Sequence, residues 1–271
     1  IAGRDFQGFI NNHIDSNSVQ ANISATSIGN FSFRLPPFPT QRAIAATLSC
    51  LDGKIELNRR INANLEAQAQ AIFKSWFVDF EPFKDGKFVD SELGRIPKGW
   101  RVGVLSDFVN IKYGKAHQSL NDGDFPVYGS GGLMRYVEKP LYDKESVLIP
   151  RKGTLNNVMY ITKPFWAVDT MFYTEMKKPN VSIYIYQFIK QKDLVSMNAG
   201  TAVPSMTTKI LNALNIIIPP DSVIKDFYDC STTLYNEQKV NYNQSCTLAA
   251  IRDTLLPKLM IGEIEVKEEK P

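Results

Sequence analysis

The sequence predicts an α+β protein in which two long helices, paired antiparallel as a coiled coil, accompany a mixed α/β domain. Three observations carry that prediction: an apolar heptad stripe through 36–77, a second stripe through 222–260, and a run of short β-rich segments between 96 and 220. The two stripes are copies of one pattern. A shift of 183 positions lays Pro36-Pro37 on Pro219-Pro220 and brings Ile44, Leu51, Leu65, Ile72 and Trp76 onto Phe227, Leu234, Leu248, Leu255 and Leu259, the signature of an internal repeat.

The first helix follows from its spacing. Steps of four and three from Ile44 pass through Leu48, Leu51, Ile55, Asn58, Asn62, Leu65, Ala69, Ile72 and Trp76, a coiled-coil seam broken by two asparagines. At 1.5 Å per residue the helix would be roughly 55 to 60 Å long, too long to bury its stripe against one small domain, so it needs a partner helix. The second helix, 222–260 with Asp221 or Ser222 as its N-cap, supplies one. Pro257 is expected to kink it or end it early. Its middle is polar too, at Gln238, Asn241 and Ser245. Antiparallel pairing then faces Asn58 and Asn62 with Asn241 and Ser245 in a layer that fixes register, and sets Leu51 near Leu248 and Leu65 near Leu234.

Before the first helix, residues 1–37 repeat the closing part of the middle block. Phe9-Ile10 answers Phe188-Ile189 once four residues are gapped, Ile23-Ser24 answers Met206-Thr207, and Ile28, Phe31, Phe33 and Leu35 answer Leu211, Leu214, Ile216 and Ile218. The sequence is thus expected to open inside a domain, with a closing strand at 30–35. After the first helix, 81–95 reads as a charged linker, and a new domain is expected over 96–220. Its strands are expected at 100–105, 125–128, 146–150, 158–161 and 171–174, with one helix at 183–191. The second helix, taken to 262, is followed by a charged tail at 263–271.

Composition narrows the function. Hydrophobic residues make up 44% of the chain, ample for packed cores. No apolar run approaches the ~20 residues that cross a bilayer, and the expected location is the cytoplasm, without a membrane partner. Cys50, Cys230 and Cys246 form no CxxC pair, and two histidines, His13 and His117, leave too few ligands for a zinc site. The cysteines are expected to be packed helix thiols, and both histidines surface loop residues. The net charge of +3 is unevenly spread: 97–220 holds 15 Lys and Arg against 9 Asp and Glu, a net +6 that leaves −3 for the remainder. A polyanion is the natural partner for that block.

Four loops of the block combine glycine with polar groups. They are Lys112-Tyr113-Gly114-Lys115, 128–132 with Tyr128 and Ser130, 151–157 with Arg151, Lys152, Thr154, Asn156 and Asn157, and 198–205 with Thr201 and Ser205. Glycine permits close backbone approach to a phosphate, Lys and Arg neutralise it, and Asn, Ser and Thr read base edges. With Arg135, these residues are the candidate contacts to double-stranded DNA. No catalytic, cofactor or metal residues are expected, since GxxxxGK[ST], GxGxxG and GxSxG are all missing. Leu35-Pro36-Pro37-Phe38 lacks the acceptor oxygen of an amino-methyltransferase tetrapeptide. Asp79, Glu81 and Lys84 trail a helix without a strand to aim two carboxylates at one Mg²⁺, which disfavours a nuclease. A helical interaction scaffold without DNA binding is the competing reading.

The pattern PPxxxQ...I...L..LD..I..N......LE..AQ.IF..WF, followed by GxIPxGW, is carried here by Pro36, Pro37, Gln41, Ile44, Leu48, Leu51, Asp52, Ile55, Asn58, Leu65, Glu66, Ala69, Gln70, Ile72, Phe73, Trp76 and Phe77, then Gly94, Ile96, Pro97, Gly99 and Trp100. It resembles the specificity subunit of type I restriction-modification systems. Tyr128-Gly129-Ser130-Gly131-Gly132, Arg151-Lys152-Gly153, Phe165-Trp166 and Asp169-Thr170 look like that family's target-recognition domains. The resemblance implies a non-catalytic, DNA-recognising subunit whose antiparallel helices space two recognition domains and dock modification (methyltransferase) subunits, and through them restriction subunits. It further implies the C-terminal half of such a subunit, with one complete recognition domain for one half-site, and possible self-association of half-subunits.

Overall fold

A computed structural model describes residues 4–13, 23–32, 35–197 and 205–266. The chain divides into two compact units, one of Ile1–Ala63 with Gln238–Pro271 and one of Asn64–Glu237. The long helices α3 (Phe38–Phe77) and α6 (Asp221–Met260) run through both, each 40 residues long and offset in sequence by the repeat distance.

Both helices start from a double proline, which cannot continue a strand and pre-sets the backbone of a first helical turn. At α3 the Gln41 amide returns to the Pro36 carbonyl at 2.8 Å. Past the end of the helix at Phe77, Phe80 adopts a left-handed φ of 56° and docks its ring edge-on to Trp100. The end of α6 is closed by Gly262, at φ 74°, with Glu263 N donating to the Lys258 carbonyl at 2.9 Å. Pro257 lies inside α6 and the helix continues three residues beyond it, so the expected early stop does not occur.

In the first unit the two helices are antiparallel. Asn58 Nδ2 donates to Gln244 Oε1 at 2.8 Å, Ser245 Oγ at 3.2 Å and the Asn241 carbonyl at 3.3 Å, while Asn62 Nδ2 donates to the Gln238 carbonyl at 3.1 Å. Asn241 Nδ2 returns a bond to Asn62 Oδ1 at 3.0 Å. Arg252 reaches Asp52 at 2.7 Å, one step further along. Partner numbers fall as α3 numbers rise, which defines the direction. The seam positions Ile44, Asn58 and Leu259 are buried, and Leu48, Leu51, Ile55, Asn62, Asn241, Ser245, Leu248 and Leu255 are half-buried. Before α3, the unit holds α1 (Arg4–His13) and α2 (Ala25–Gly29), whose Ser24 cap accepts from Ser27 N at 2.9 Å. The expected closing strand at 30–35 does not form at Asn30, Phe31, Ser32 or Leu35, and Phe33 and Arg34 lie outside the described residues. A strand needs a ladder partner, and the described residues of this unit supply none.

The second unit carries the sheets. A hairpin of β1 (Phe88–Ser91) and β2 (Gly94–Pro97) occupies most of the expected linker, so 81–95 is folded rather than a charged tether. Strand β3 (Arg101–Val104) pairs with β11 (Asn215–Ile218). A four-stranded sheet has the order β4 (Val109–Tyr113), β10 (Met171–Met176), β7 (Ser146–Pro150), β8 (Met159–Ile161), and a three-stranded sheet the order β6 (Gly132–Val137), β5 (Phe125–Gly129), β9 (Trp166–Ala167). Helix α4 (Ser182–Lys190) is almost wholly buried, and α5 (Thr208–Asn212) starts at a Thr207 cap that accepts from Ile210 N. Phe73 and Phe77 of α3 sit between Tyr184 of α4 and Phe227 of α6, with Phe77 ring centroids 4.6 and 4.9 Å from theirs. Leu65 is buried, and Ile72 and Leu234 are half-buried. The exposed outer positions of the helices hold all three cysteines. This corrects the expectation of packed thiols: Cys50 follows Leu48 and Cys246 follows Ser245, out of step with the seam.

Candidate nucleic-acid interface

Three of the four glycine loops are brought together by backbone hydrogen bonds from one turn, 166–171. Beyond β4, Gly114 N donates to the Met171 carbonyl at 2.9 Å and Lys115 N to the Ala167 carbonyl at 2.8 Å, while Trp166 Nε1 donates to the Lys115 carbonyl at 2.9 Å. At the end of β5, Val168 N donates to the Tyr128 carbonyl at 3.0 Å. After β7, Arg151 N and Lys152 N both donate to the Thr170 carbonyl, at 2.8 and 3.2 Å. The turn therefore acts as a hub, anchored where Phe165 and Trp166 lead into it with both rings buried in the core beneath.

The loops also touch one another. Asn157 Nδ2 donates to the Ser130 carbonyl at 2.8 Å. Gly153 holds φ 83°, and a Cβ there would stand 2.6 Å from Ser130 Oγ, so both the backbone conformation and the close approach require glycine. The Arg151 guanidinium lies over the Tyr113 ring at 5.7 Å, and that ring packs on Phe172 at 5.0 Å. The fourth loop joins through Ser205, which forms a bridge with Lys152, and Met206 N donates to the Arg151 carbonyl at 2.8 Å. Thr201 lies outside the described residues.

Side-chain placement separates the candidates. Lys112, Tyr113, Lys115, Lys152, Thr154 and Asn156 are exposed, and Tyr128, Ser130 and Arg151 are half-buried. Lys112 has Glu175 at 3.6 Å, whereas among the described residues no carboxylate lies within ion-pair distance of Lys115, Arg151 or Lys152. Three candidates are hydrogen-bonded to the framework. Arg135 donates to the carbonyls of His117 and Leu120 and lies 3.9 Å from Asp122, bracing the 117–122 loop. The carbonyl oxygen of the Asn156 side chain accepts from Leu194 N at 3.1 Å, and Asn157 holds Ser130 as above. His117 lies in a loop, as expected, and is half-buried rather than exposed.

A polar cluster, of which only Glu66 stood in the sequence motif, holds this block to the helices of its own unit. Glu66 on α3 accepts from Lys190 Nζ at 2.6 Å, Gln187 Nε2 at 3.3 Å and the Tyr186 hydroxyl at 3.4 Å. Gln187 also reaches the Tyr235 hydroxyl of α6. Glu145 accepts from Ser182 and, at 2.8 Å, from the Tyr228 hydroxyl. Burial pushes the phenols of Tyr160, Tyr184, Tyr186 and Tyr235 far above their ordinary value, with Glu66 adding to the effect at Tyr186 and Tyr235. Glu66 stands next to Leu65 at the edge of the stripe, where a heptad reading expects a solvated charge.

The carboxylates a nuclease would need are each paired with a lysine: Asp79 with Lys74, and Glu81 with Lys84 at 2.6 Å. Among the described residues no group of three or more His, Cys, Asp or Glu is placed to hold a metal ion. No helix there is long and apolar enough to cross a membrane.

Comparison with known proteins agrees with this architecture. The family model described as "Type I restriction modification DNA specificity domain" matches residues 9–67 and 97–238. The MjaIX type I restriction enzyme specificity subunit of Methanocaldococcus jannaschii is 31% identical over 266 residues, an alignment covering 86% of this chain and 61% of that protein. The HindI specificity subunit of Haemophilus influenzae is 25% identical, covering 89% of this chain and 71% of its own length. The crystal structure of a type I restriction-modification S subunit from Mycoplasma genitalium superposes with a TM-score of 0.62 at 20% identity, over 94% of this chain and 70% of that one. This chain therefore spans about three fifths of the MjaIX subunit. With a family model covering most of its length, the chain belongs to the type I restriction-modification DNA specificity family.

Proposed function

We propose that the chain is a non-catalytic DNA-recognition subunit of a type I restriction-modification complex, in which 96–220 reads one half-site of duplex DNA. The observation that carries this reading is the convergence of three acid-free runs. Residues 108–121, 125–137 and 146–168 contain no Asp or Glu, and their glycine loops meet at the 166–171 turn. A surface assembled from such runs keeps Lys115, Arg151 and Lys152 available to phosphate, with Asp169 the acid beside it. In this reading 1–37 belongs to a first recognition domain, 38–80 and 221–262 are spacer helices that dock methyltransferase subunits and through them restriction subunits, and half-subunits can self-associate.

The test is duplex binding by the purified full chain across a salt series. Neutralising several phosphates makes log K fall steeply and linearly with log salt. A scaffold that binds only proteins shows no such slope, and that result would reject the proposal.

A further inference from the structure

The tip of the β5–β6 hairpin is apolar where the surrounding loops are cationic. Leu133, Met134 and Tyr136 are exposed, Met134 at 57%. They follow the Ser130-Gly131 turn closed by the Gly129–Gly132 pair. The register shift between Val127 and Tyr128 interrupts strand alternation there, which lets neighbouring residues 133 and 134 both reach solvent. The hairpin has a charge direction as well. Its tip is free of carboxylates, whereas Asp124 and Glu138 stand at its base.

Met134 is seated rather than loose. It lies across Gly129, where a Cβ would stand 2.6 Å from its sulfur and 3.6 Å from Val168, so glycine at 129 is what lets the thioether fold down over the hub turn. The same turn carries the backbone of Lys115 and Arg151, and Ser130 beside Gly129 contacts the 151–157 loop through Asn157. An exposed methionine is thus linked, through the hub turn and Ser130, to the loops that carry Lys115, Arg151 and Lys152. Phosphate does not call for an apolar group there. A base edge does: the C5-methyl of thymine is the apolar feature of the major groove, and an unbranched, polarisable side chain fits it without demanding one geometry.

We propose that Met134 is a specificity-determining residue that contacts a thymine methyl in the major groove, with Leu133 completing the apolar tip. The proposal rests on the DNA-recognition reading above. Its experiment starts from the duplex sequence that the full chain selects from a random pool, in which each thymine is replaced in turn by deoxyuridine, removing one methyl group. The wild-type chain is expected to bind about four-fold more weakly at one or two uracil positions, the value of one buried methyl-sized group. Met134→Ala is expected to lose a similar factor on the thymine duplex and nothing further on the uracil one, while Met134→Leu keeps the wild-type pattern. Thermal melting of both variants checks that the fold is intact.

A selected site without thymine overturns the proposal, as does a wild-type chain insensitive to every uracil or an alanine variant that keeps the same uracil sensitivity. A 2-aminopurine signal of unstacking that disappears in Met134→Ala also overturns it, by making the tip a wedge between base pairs. Absence of any salt-sensitive duplex binding would appear before uracil is introduced, and would reject recognition itself together with this residue's part in it.

Discussion

Arg151 occupies the crossing point of the candidate interface. Its backbone is fixed on both sides, by Thr170 and Met206, and its guanidinium rests on Tyr113. Among the described residues no carboxylate, Asp169 included, lies within ion-pair distance of it. If it reads a guanine, Arg151→Ala should reduce cognate binding by ~1 to 3 kcal/mol more than non-specific binding, measured by competition titration. Lys152→Ala should mainly flatten the salt slope. Tyr113→Leu removes the ring that supports the guanidinium and should reproduce part of the Arg151 loss without charge removal. Gly153→Ala is a different kind of change: with φ 83° and Ser130 in the way, it should lower stability by about 1 to 3 kcal/mol in urea titration as well as binding.

At the scale of elements, two polar contacts carry predictions. The Asn58 amide donates across the helix pair while its own carbonyl oxygen is buried without a partner. Asn58→Ala should cost about 1 to 3 kcal/mol by leaving Gln244 and Ser245 without their donor, whereas Asn58→Leu should recover much of that by apolar packing. The layer was legible in sequence because two asparagines interrupt an otherwise regular stripe. Gln244 was not, since nothing in the spacing distinguishes an exposed glutamine that bends back. Glu66 is the second contact. Its ion pair with Lys190 is largely shielded, and Glu66→Ala should cost more than any surface pair of this chain, about 2 to 4 kcal/mol, with Glu66→Gln intermediate. Reading the stripe as strictly heptad also passed over Phe73 and Phe77, which are more buried than Ile72 and Trp76 because α4 adds a third helical wall there. The hairpin of β1 and β2 was hidden by its charge and glycine, which mark turns as readily as linkers.

At the scale of the molecule, the internal repeat is visible in detail. Ser24 and Thr207 are equivalent positions and cap equivalent helices, α2 and α5, each accepting from the backbone three residues on. Asn58 and Ser245 are bonded, and so are their equivalents Asn241 and Asn62, so the central layer is reciprocal. What the repeat could not reveal is which segments have lost or found ladder partners: 215–218 is a strand because 101–104 lies beside it. Alkali should expose the energetic weight of the tyrosine-rich core. Its buried phenols keep their protons when folded, while unfolded tyrosines release theirs near pH 10. The unfolded state then holds fewer protons, so stability is intact below pH 10 and falls above it, by up to about 1.4 kcal/mol per pH unit for each such tyrosine. Urea midpoints between pH 9 and 11, read against ultraviolet phenolate absorbance, check this.

The exposed cysteines have a practical meaning of their own. Cys50 and Cys246 belong to one unit and Cys230 to the other, and all three face away from the helix seam. A thiol reagent should therefore modify all three in the native protein without unfolding it, and a chromophoric thiol assay would count them. Dyes or spin labels attached there give the natural sequence its own set of rulers, able to report whether nucleic acid changes the spacing between helix positions.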